Sequence, residues 1–285
     1  MPSIANRCIA CEHSPPERQP AVLMPFVAWR AFGWESCEIT ADWGLRSVPQ
    51  GLALPLCNSL HCPNCGMLFL DMRFDDADMS RLYRDYRGDS YVQEREHFEP
   101  GYAARNQALT SDHPHIQAAE AVLRPWLPDQ PAILDWGGDT GRNTPLRQVA
   151  RLHHIYDISG RLPVEGAVPV STPTAAAYDL IVLSNVLEHV PDPRSLLGEV
   201  SRVMSPSSKL YLELPFEALM RESETQHGAW RSKRHWHEHV NFFSSKALTS
   251  LIQRSGLEVL SANFISLPDG ALQFAWVCGP ATGRR

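Results

Sequence analysis

The spacing of apolar positions changes character near residue 130. Before it, Asp75 to Asn106 is polar and aromatic-rich, with Met79, Leu82, Tyr83 and Tyr86 at helical spacing. Ile116 to Trp126 predicts another short helix, and Pro125, Pro128 and Pro131 then punctuate the chain. Beyond them strands alternate with helices. Ala132 to Asp135 (AILD) predicts a buried strand, Thr140 to Leu152 a helix, His153 to Asp157 a second strand and Ala167 to Ser171 a short third. Tyr178 to Ser184 (YDLIVLS) and Lys209 to Leu214 (KLYLEL) are further strands. Between them Asp192 can cap a helix that has Pro193 in its first position and runs to about Met204. Ser244 or Ser245 can cap the last helix, which stops at Gly256. Leu257 to Leu267 and Ala271 to Cys278 are strands joined by the turn Pro268-Asp269-Gly270.

Alternating strands and helices predict an α/β fold with a mostly parallel sheet, closed by one antiparallel strand. Ser159 to Gly166 and Thr172 to Ala177 leave little room for crossover helices, so an abridged version is expected. The expected division is a small domain over 1–74, a helical connecting segment over 75–130, and the α/β domain over 131–285 with an insertion at 216–243. There is no internal repeat.

Composition narrows the class. At about 150 residues per domain, 285 residues suggest two domains. With 44% apolar and 20% charged residues the chain is globular and large enough to need no disulfide staples. No apolar run approaches the ~18 residues of a membrane span, and Met1 to Pro20 lacks the apolar core of a secretory signal, so a cytoplasmic protein is expected. The 26 basic and 32 acidic residues give a net charge of -6, which argues against general nucleic-acid binding. Lysine occurs only at Lys209, Lys233 and Lys246, an arginine excess read as codon bias. Seven cysteines is an odd number, so reduced thiols are expected, with close pairs as metal ligands.

Cys8-Ile-Ala-Cys11 and Cys62-Pro-Asn-Cys65-Gly66 are two such pairs. Two thiolates three positions apart can grip one tetrahedral metal, and two such turns complete a closed, structural four-cysteine zinc site. Gly66 suits a knuckle that needs positive φ. The alternatives are unligated core thiols or a redox pair, although neither pair begins a helix in a thioredoxin-like context. Cys57 is near enough to substitute as a ligand. Cys37 and Cys278 read as ordinary buried residues.

The first strand of the α/β region runs directly into Asp135-Trp136-Gly137-Gly138-Asp139-Thr140-Gly141. Glycines there let the backbone approach a ligand and turn free N–H groups toward it. The spacing does not fit the dinucleotide fingerprint. Asp157, 22 residues after Asp135, ends the second strand, where an acid can accept from both ribose hydroxyls. Ser184 and Asn185 lie at a later strand end, where ligand contact is expected. Glu188 and His189 can equally brace the loop.

This loop resembles the first motif of class I S-adenosylmethionine (SAM) methyltransferases, an acid followed by D-x-G-x-G-x-G. Asp135, Gly137 and Gly141 match, Asp139 replaces the middle glycine, and Gly138 stands beside it. Asp139 adds a carboxylate that could meet the cationic end of SAM. Tyr178 to Pro193 and Lys209 to Pro215 resemble the family's fourth and fifth strands, so the resemblance covers about residues 131–279. It implies a Rossmann-like core with SAM held by Asp135, Gly137, Gly138, Asp139, Gly141, Asp157, Ser184 and Asn185.

Residues 216–243 follow the fifth strand, and a long insertion there lies over the active site of such a sheet. In an extended segment His237 and His239 share one face and Glu238 takes the other. A histidine near neutral pKa can remove a substrate proton. An H-x-H pair can also bind metal, but no third ligand is evident from the sequence. The zinc knuckles, the core and His237-Glu238-His239 together resemble the sugar C-methyltransferases, which act on nucleotide-linked keto-sugars. Trp236 stands where that family carries a tyrosine. The resemblance implies His239 as base with His237 and Glu238 beside it. Tyr86 or Tyr91 could supply a phenol, and Arg231, Lys233 and Arg234 could neutralise a diphosphate.

The expected protein is thus a SAM-dependent methyltransferase with structural zinc and a small-molecule acceptor, a sugar nucleotide or glycan precursor. The alternatives are an O- or N-methyltransferase of a natural product, or a non-catalytic zinc-containing SAM-binding protein.

Overall fold

The computed structural model describes residues 2–44, 50–109, 113 and 115–281. The first third contains β1 (Ser3–Ile4), β2 (Glu17–Leu23), α1 (Pro25–Phe32), β3 (Cys37–Ile39), β4 (Gly51–Ala53), β5 (Leu56–His61), β6 (Leu68–Leu70) and β7 (Met72–Arg73). Strands β2, β5 and β6 form an antiparallel meander, with β1–β7 and β3–β4 as small two-stranded attachments. Four helices follow: α2 (Asp76–Tyr83), α3 (Asp89–Phe98), α4 (Tyr102–Leu109) and α5 (Ile116–Leu123). Asp75 and Asp78 exchange side-chain and backbone hydrogen bonds at the start of α2, a capping box that fixes its entry.

The remainder begins with β8 (Ala132–Trp136), β9 (Leu152–Tyr156), β10 (Val168–Pro169), β11 (Leu180–Ser184), α6 (Pro193–Val203) and β12 (Lys209–Phe216). Next come α7 (Ala218–Thr225), β13 (His235–Trp236) and β14 (Asn241–Phe242), and the chain closes with α8 (Ser245–Arg254), β15 (Leu257–Ser266) and β16 (Leu272–Pro280). The large sheet has seven strands in the order β10-β9-β8-β11-β12-β16-β15. It is parallel as far as β12, and β16 runs antiparallel to both its neighbours. This is the expected Rossmann-like α/β fold with its antiparallel closing strand.

Side-chain alternation covers the sheet on both faces, as a parallel sheet requires. Leu134, Ile181, Leu183 and Leu212 point into the cluster made with α6 and α8. Ile133, Leu180, Val182 and Tyr211 point into the cluster that holds Ala119 and Leu123 of α5. The first cluster continues without a break into the amino-terminal third through Phe26, Leu60, Phe69 and Tyr91. Asp192 and Ser244 cap α6 and α8 through the amides of Ser195 and Ala247, both at 3.0 Å.

The structure departs from expectation within the α/β region and among the cysteines. Thr140 to Arg151 forms turns and no helix, and Leu152 already belongs to β9. Pro145 lacks an amide, Leu146 has φ 63°, and the Thr144 hydroxyl is spent on Asp135 and the Gly141 carbonyl. The third strand shrinks to Val168–Pro169. Cys37 is exposed, whereas Cys278 is buried.

The insertion 216–243 has an unexpected place. Its strands β13 and β14 form the two edges of the amino-terminal sheet, in the order β13-β2-β5-β6-β14. His235 and Trp236 pair with Val22 and Leu23, and Asn241 and Phe242 with Phe69 and Leu68. Trp236 is fully buried there, its indole donating to Ser59 Oγ at 2.8 Å. It is a core residue of that sheet and does not stand in for a catalytic phenol.

Candidate active site

At the end of β8 the chain makes the tight turn foreseen for it. Gly137 has φ 80° and Gly141 φ 74°. A Cβ on Gly137 would lie 2.6 Å from Val186 Cγ2, and one on Gly138 would lie 2.4 Å from the Asp135 carboxyl carbon, so both positions admit only glycine. Asp139 itself adopts φ 53°, a left-handed conformation that aspartate tolerates better than most residues. Its carboxylate pairs with Arg161 Nη1 at 3.0 Å. The substitution therefore preserves the glycine-like backbone and ties the new charge to an arginine. Asp157 accepts from the Asp139 amide at 2.8 Å and the Ser159 amide at 2.7 Å, bracing the loop from the end of β9.

Asp135 is buried beneath this turn and accepts from Thr144 Oγ1, which lies 3.0 Å from His153 Nε2. Burial pushes the Asp135 carboxyl up to about 7 and the His153 imidazole down to about 4. Ser184 donates to Glu213 Oε1 at 2.9 Å, and Asn185 takes φ 54° at the end of β11.

The turn opens into a cavity of about 670 Å3. Gly137, Gly138, Asp139, Ser184 and Asn185 line it on one side, and His237, Glu238 and His239 on another. A smaller recess of about 110 Å3, which shares Gly137, Asp139 and Asn185, is bounded by Asp157, Ile158 and Val186.

The His-Glu-His segment is bent at Glu238 and not extended. The expected separation of faces fails: His237 Nδ1 lies 3.5 Å from Glu238 Oε2. Glu238 accepts from Tyr91 Oη and from Arg95 Nη1, the latter at 2.8 Å. His237 Nε2 bonds Glu99. Burial would push the Glu238 carboxyl up, but the hydrogen bond to His237 and the Arg95 charge hold it well below the usual range. Burial likewise opposes the charged form of His237, and Glu238 and Glu99 outweigh it and raise that imidazole. Both residues are thus committed to partners within the protein. His239 is freer, with a side chain 38% exposed. Its Nδ1 lies 3.1 Å from Glu217 Oε1, which leaves Nε2 without that restraint. Burial lowers its pKa less than Glu217 and Glu188 raise it.

Glu188 and His189 lie beside it. The His189 ring meets the His239 ring edge-on with centroids 4.7 Å apart. His189 Nδ1 lies 2.8 Å from Tyr83 Oη and 3.2 Å from the Glu238 carbonyl. Glu188 is only 2% exposed, and neither carboxyl oxygen has a hydrogen-bond partner among the described residues. Burial pushes Glu188 up to about 7, and burial with the His239 charge pushes His189 down to about 3.

The two CxxC turns meet in the amino-terminal third. Cys8 Sγ lies 3.5 Å from Cys65 Sγ, Cys11 Sγ lies 3.5 Å from Cys62 Sγ, and all four sulfurs fall within 4.8 Å of one another. Zinc–sulfur bonds of about 2.3 Å place tetrahedral sulfurs about 3.8 Å apart, so the donor set fits a closed zinc site. Hydrogen bonding to Cys62, with burial, pushes the Cys8 thiol up to about 12, while Cys65 and Cys8 hold Cys62 far below the thiol range. Gly66 has φ 77° at the knuckle, and Ser244 Oγ donates to the Cys65 carbonyl. Cys57 is buried outside this group, and burial, then the Asp71 charge, pushes its thiol up to about 12.

Of the side chains expected at the acceptor, Tyr86 lines the cavity. Tyr91 sits behind Glu238, fully buried. Arg231 and Arg234 lie outside the lining: Arg231 is 3.7 Å from Glu17, and Arg234 Nε donates to the Arg231 carbonyl. Lys233 does line it, with Nζ 4.3 Å from the Phe242 ring centroid, and burial pushes its pKa down to about 8. Sequence reasoning missed Arg95, Glu99 and Glu217. Tyr91, Arg95 and Glu99 recur every four residues along α3, a signal of one shared face that was available.

Among solved structures, the chain is similar to the 1,6-didemethyltoxoflavin-N1-methyltransferase of Burkholderia thailandensis, with 18% identity, 67% of this chain and 88% of that chain covered, and a TM-score of 0.49. A putative methyltransferase of Haloferax volcanii, in complex with a methyltransferase activator, is 16% identical over 68% of this chain and 100% of that chain, with a TM-score of 0.48. Magnesium protoporphyrin IX methyltransferase of Synechocystis PCC 6803 is 14% identical over 66% and 98%, with a TM-score of 0.45. No curated protein matches the chain. The model of the methyltransferase domain family matches residues 112–262, just over half of the 285 residues, and the chain belongs to that family.

Proposed function

We propose that this protein is a SAM-dependent methyltransferase acting on a small-molecule acceptor. The observation that carries the reading is that one cavity joins the glycine turn to the His-Glu-His segment. Asp135, Gly137, Gly138, Asp139, Gly141, Asp157, Ser184 and Asn185 would hold SAM, Gly137 and Gly138 by close backbone approach and Asp157 by accepting from ribose hydroxyls. The apolar rim of Ile158 and Val186 in the smaller recess suits an adenine ring. When bound, the sulfonium supplies a methyl group on a leaving thioether. The protein must then align the acceptor in line and remove its proton.

His239 in its neutral form is our candidate to receive that proton: Glu217 steadies its Nδ1, and its Nε2 makes no hydrogen bond among the described residues. His237 and Glu238 are positioning residues, held by Glu99, Tyr91 and Arg95. The amino-terminal unit, with zinc on Cys8, Cys11, Cys62 and Cys65, supplies the other wall through Tyr86, Arg95 and Tyr102.

For the acceptor we favour a nucleotide-linked sugar or glycan precursor. Arg105 and Arg142 line the cavity and suit its phosphates better than Arg231 and Arg234 do. Calorimetric titration with SAM and, separately, NAD tests the cofactor. Saturable SAM binding without an NAD response is expected, and folded protein that binds no SAM overturns the reading. A radiolabelled-methyl assay against nucleotide-linked keto-sugars tests the acceptor. In that assay His239→Ala is expected to lose about 10²–10⁴-fold in turnover with SAM affinity retained.

A further inference from the structure

We propose that Glu188, His189 and His239 form a metal centre at the wall of the cavity, a two-histidine, one-carboxylate site for a divalent transition-metal cation. One potential ligand atom from each residue falls within 4.8 Å of the other two. Glu188 Oε1 and His189 Nε2 are 3.9 Å apart. Ligand atoms on an ion with bonds of about 2.1 Å sit about 3.0–3.4 Å apart, so small side-chain rotations close the site.

Three features point to a ligand and not to mere packing. First, Glu188 is buried with both oxygens unsatisfied among the described residues. Burying a carboxylate without a partner is costly, and a cation relieves that cost. Second, each imidazole has Nδ1 turned to oxygen: the Glu217 carboxylate for His239, and the Tyr83 hydroxyl and the Glu238 carbonyl for His189. That is how metal-binding histidines are oriented, with Nε2 left for the ion. Third, all three residues line the cavity, so coordination positions not filled by protein open toward an acceptor. The paired imidazoles select ions of the zinc, cobalt, iron and manganese class over magnesium or calcium.

An ion on His239 Nε2 occupies the lone pair that accepts a proton in the metal-free protein. The two states exclude each other. Metal binding does not require the methyl-transfer reading, but it competes with His239 acting as the base. Only the placement of an acceptor oxygen on the ion rests on that reading.

The 285-residue chain saturated with cobalt, then freed of loose metal, gives the test by elemental analysis and visible absorption. Two ions per wild-type chain are expected, one with thiolate-to-metal absorption from the cysteine cluster and one without. Glu188→Gln and His239→Ala are each expected to lose the thiolate-free ion and keep the other. His239 is partly exposed, so its variant tests the site even if Glu188→Gln folds poorly. A wild-type chain carrying only the thiolate-bound ion overturns the proposal, as does retention of both ions in the variants. SAM titration of the same samples reports separately on the proposed reaction.

Discussion

Arg95 and Glu238, 143 residues apart, form an ion pair at 2.8 Å with both side chains 9% exposed. It fastens α3 of the amino-terminal third to the bend that carries His237 and His239. Arg95 also stacks over Tyr102, with its guanidinium 4.2 Å from the ring centroid. Removing one member of a buried pair strands the other charge, which costs about 3–5 kcal/mol. Arg95→Leu is therefore expected to destabilise by about that amount in urea unfolding. Arg95→Leu combined with Glu238→Leu should be less destabilised than the single variant, because no charge is left alone.

Arg73 makes a second tie between the halves. Its guanidinium donates to the Leu70, Val190 and Pro191 carbonyls and, at 2.8 Å, to Asn241 Oδ1. Asn241 Nδ2 returns bonds to the Leu187 and Val190 carbonyls. The pair thus grips both ends of the loop holding Glu188 and His189. Lysine cannot reproduce the fork. Arg73→Lys is expected to cost about 2–4 kcal/mol through buried carbonyls left unpaired, read as a lower urea midpoint with an unchanged slope.

How far the sequence foretold this site depends on the range of the contacts. The glycine turn, the caps at Asp192 and Ser244 and the cysteine knuckles are local, and residue type with spacing reveals them. Thr140 to Leu152 misled because its apolar positions suit a helix, while Pro145 and the Thr144–Asp135 hydrogen bond forbid one. The place of Trp236 was not legible: it depends on a strand pairing with Val22 and Leu23 more than two hundred residues away. The partners of His237 and Glu238 were hidden for the same reason. The four-residue spacing of Tyr91, Arg95 and Glu99 shows that they share one face of α3 and its C-terminal cap, but which segment that face meets follows from docking on the shared hydrophobic core.

The raised pKa of Asp135 predicts a pH signature. Its folded value of about 7 lies above the unfolded value near 3.9, so the folded state holds the proton more tightly. The contribution is complete below pH ~3.9 and is lost as pH rises through about 7. Asparagine keeps an acceptor for Thr144 without titrating. The stability of wild type relative to Asp135→Asn is therefore expected to fall between pH 5 and pH 8 by roughly 2 kcal/mol, measured by urea unfolding at each pH. A difference that stays flat across this range contradicts the buried, protonated aspartic acid.

The cysteine cluster predicts a thermal signature. Structural zinc contributes on the order of 10 kcal/mol to the state it closes. Cys8 and Cys62 bracket β2, α1 and β5, so a metal on the four thiolates would fasten most of the small sheet. Cys62→Ser is expected to abolish thiolate-to-metal absorption and to lower the unfolding temperature markedly. Cys57→Ser, outside the cluster, should leave the absorption unchanged.

Asp139 allows a test of the cradle itself. Its φ of 53° costs a non-glycine residue about 1–2 kcal/mol, and its pairing with Arg161 at 3.0 Å offsets part of that. Asp139→Gly removes the backbone cost and the ion pair together, so stability should change by less than about 1 kcal/mol. Asp139→Ala keeps the cost and loses the pair, and should be less stable than both. If the carboxylate only supports the turn, calorimetry will find SAM affinity unchanged in Asp139→Gly and reduced in Asp139→Ala. If it faces the cationic end of SAM, both variants will bind more weakly, and raising the salt concentration will narrow the gap to wild type. Because Arg161 already neutralises the carboxylate, the first pattern is expected.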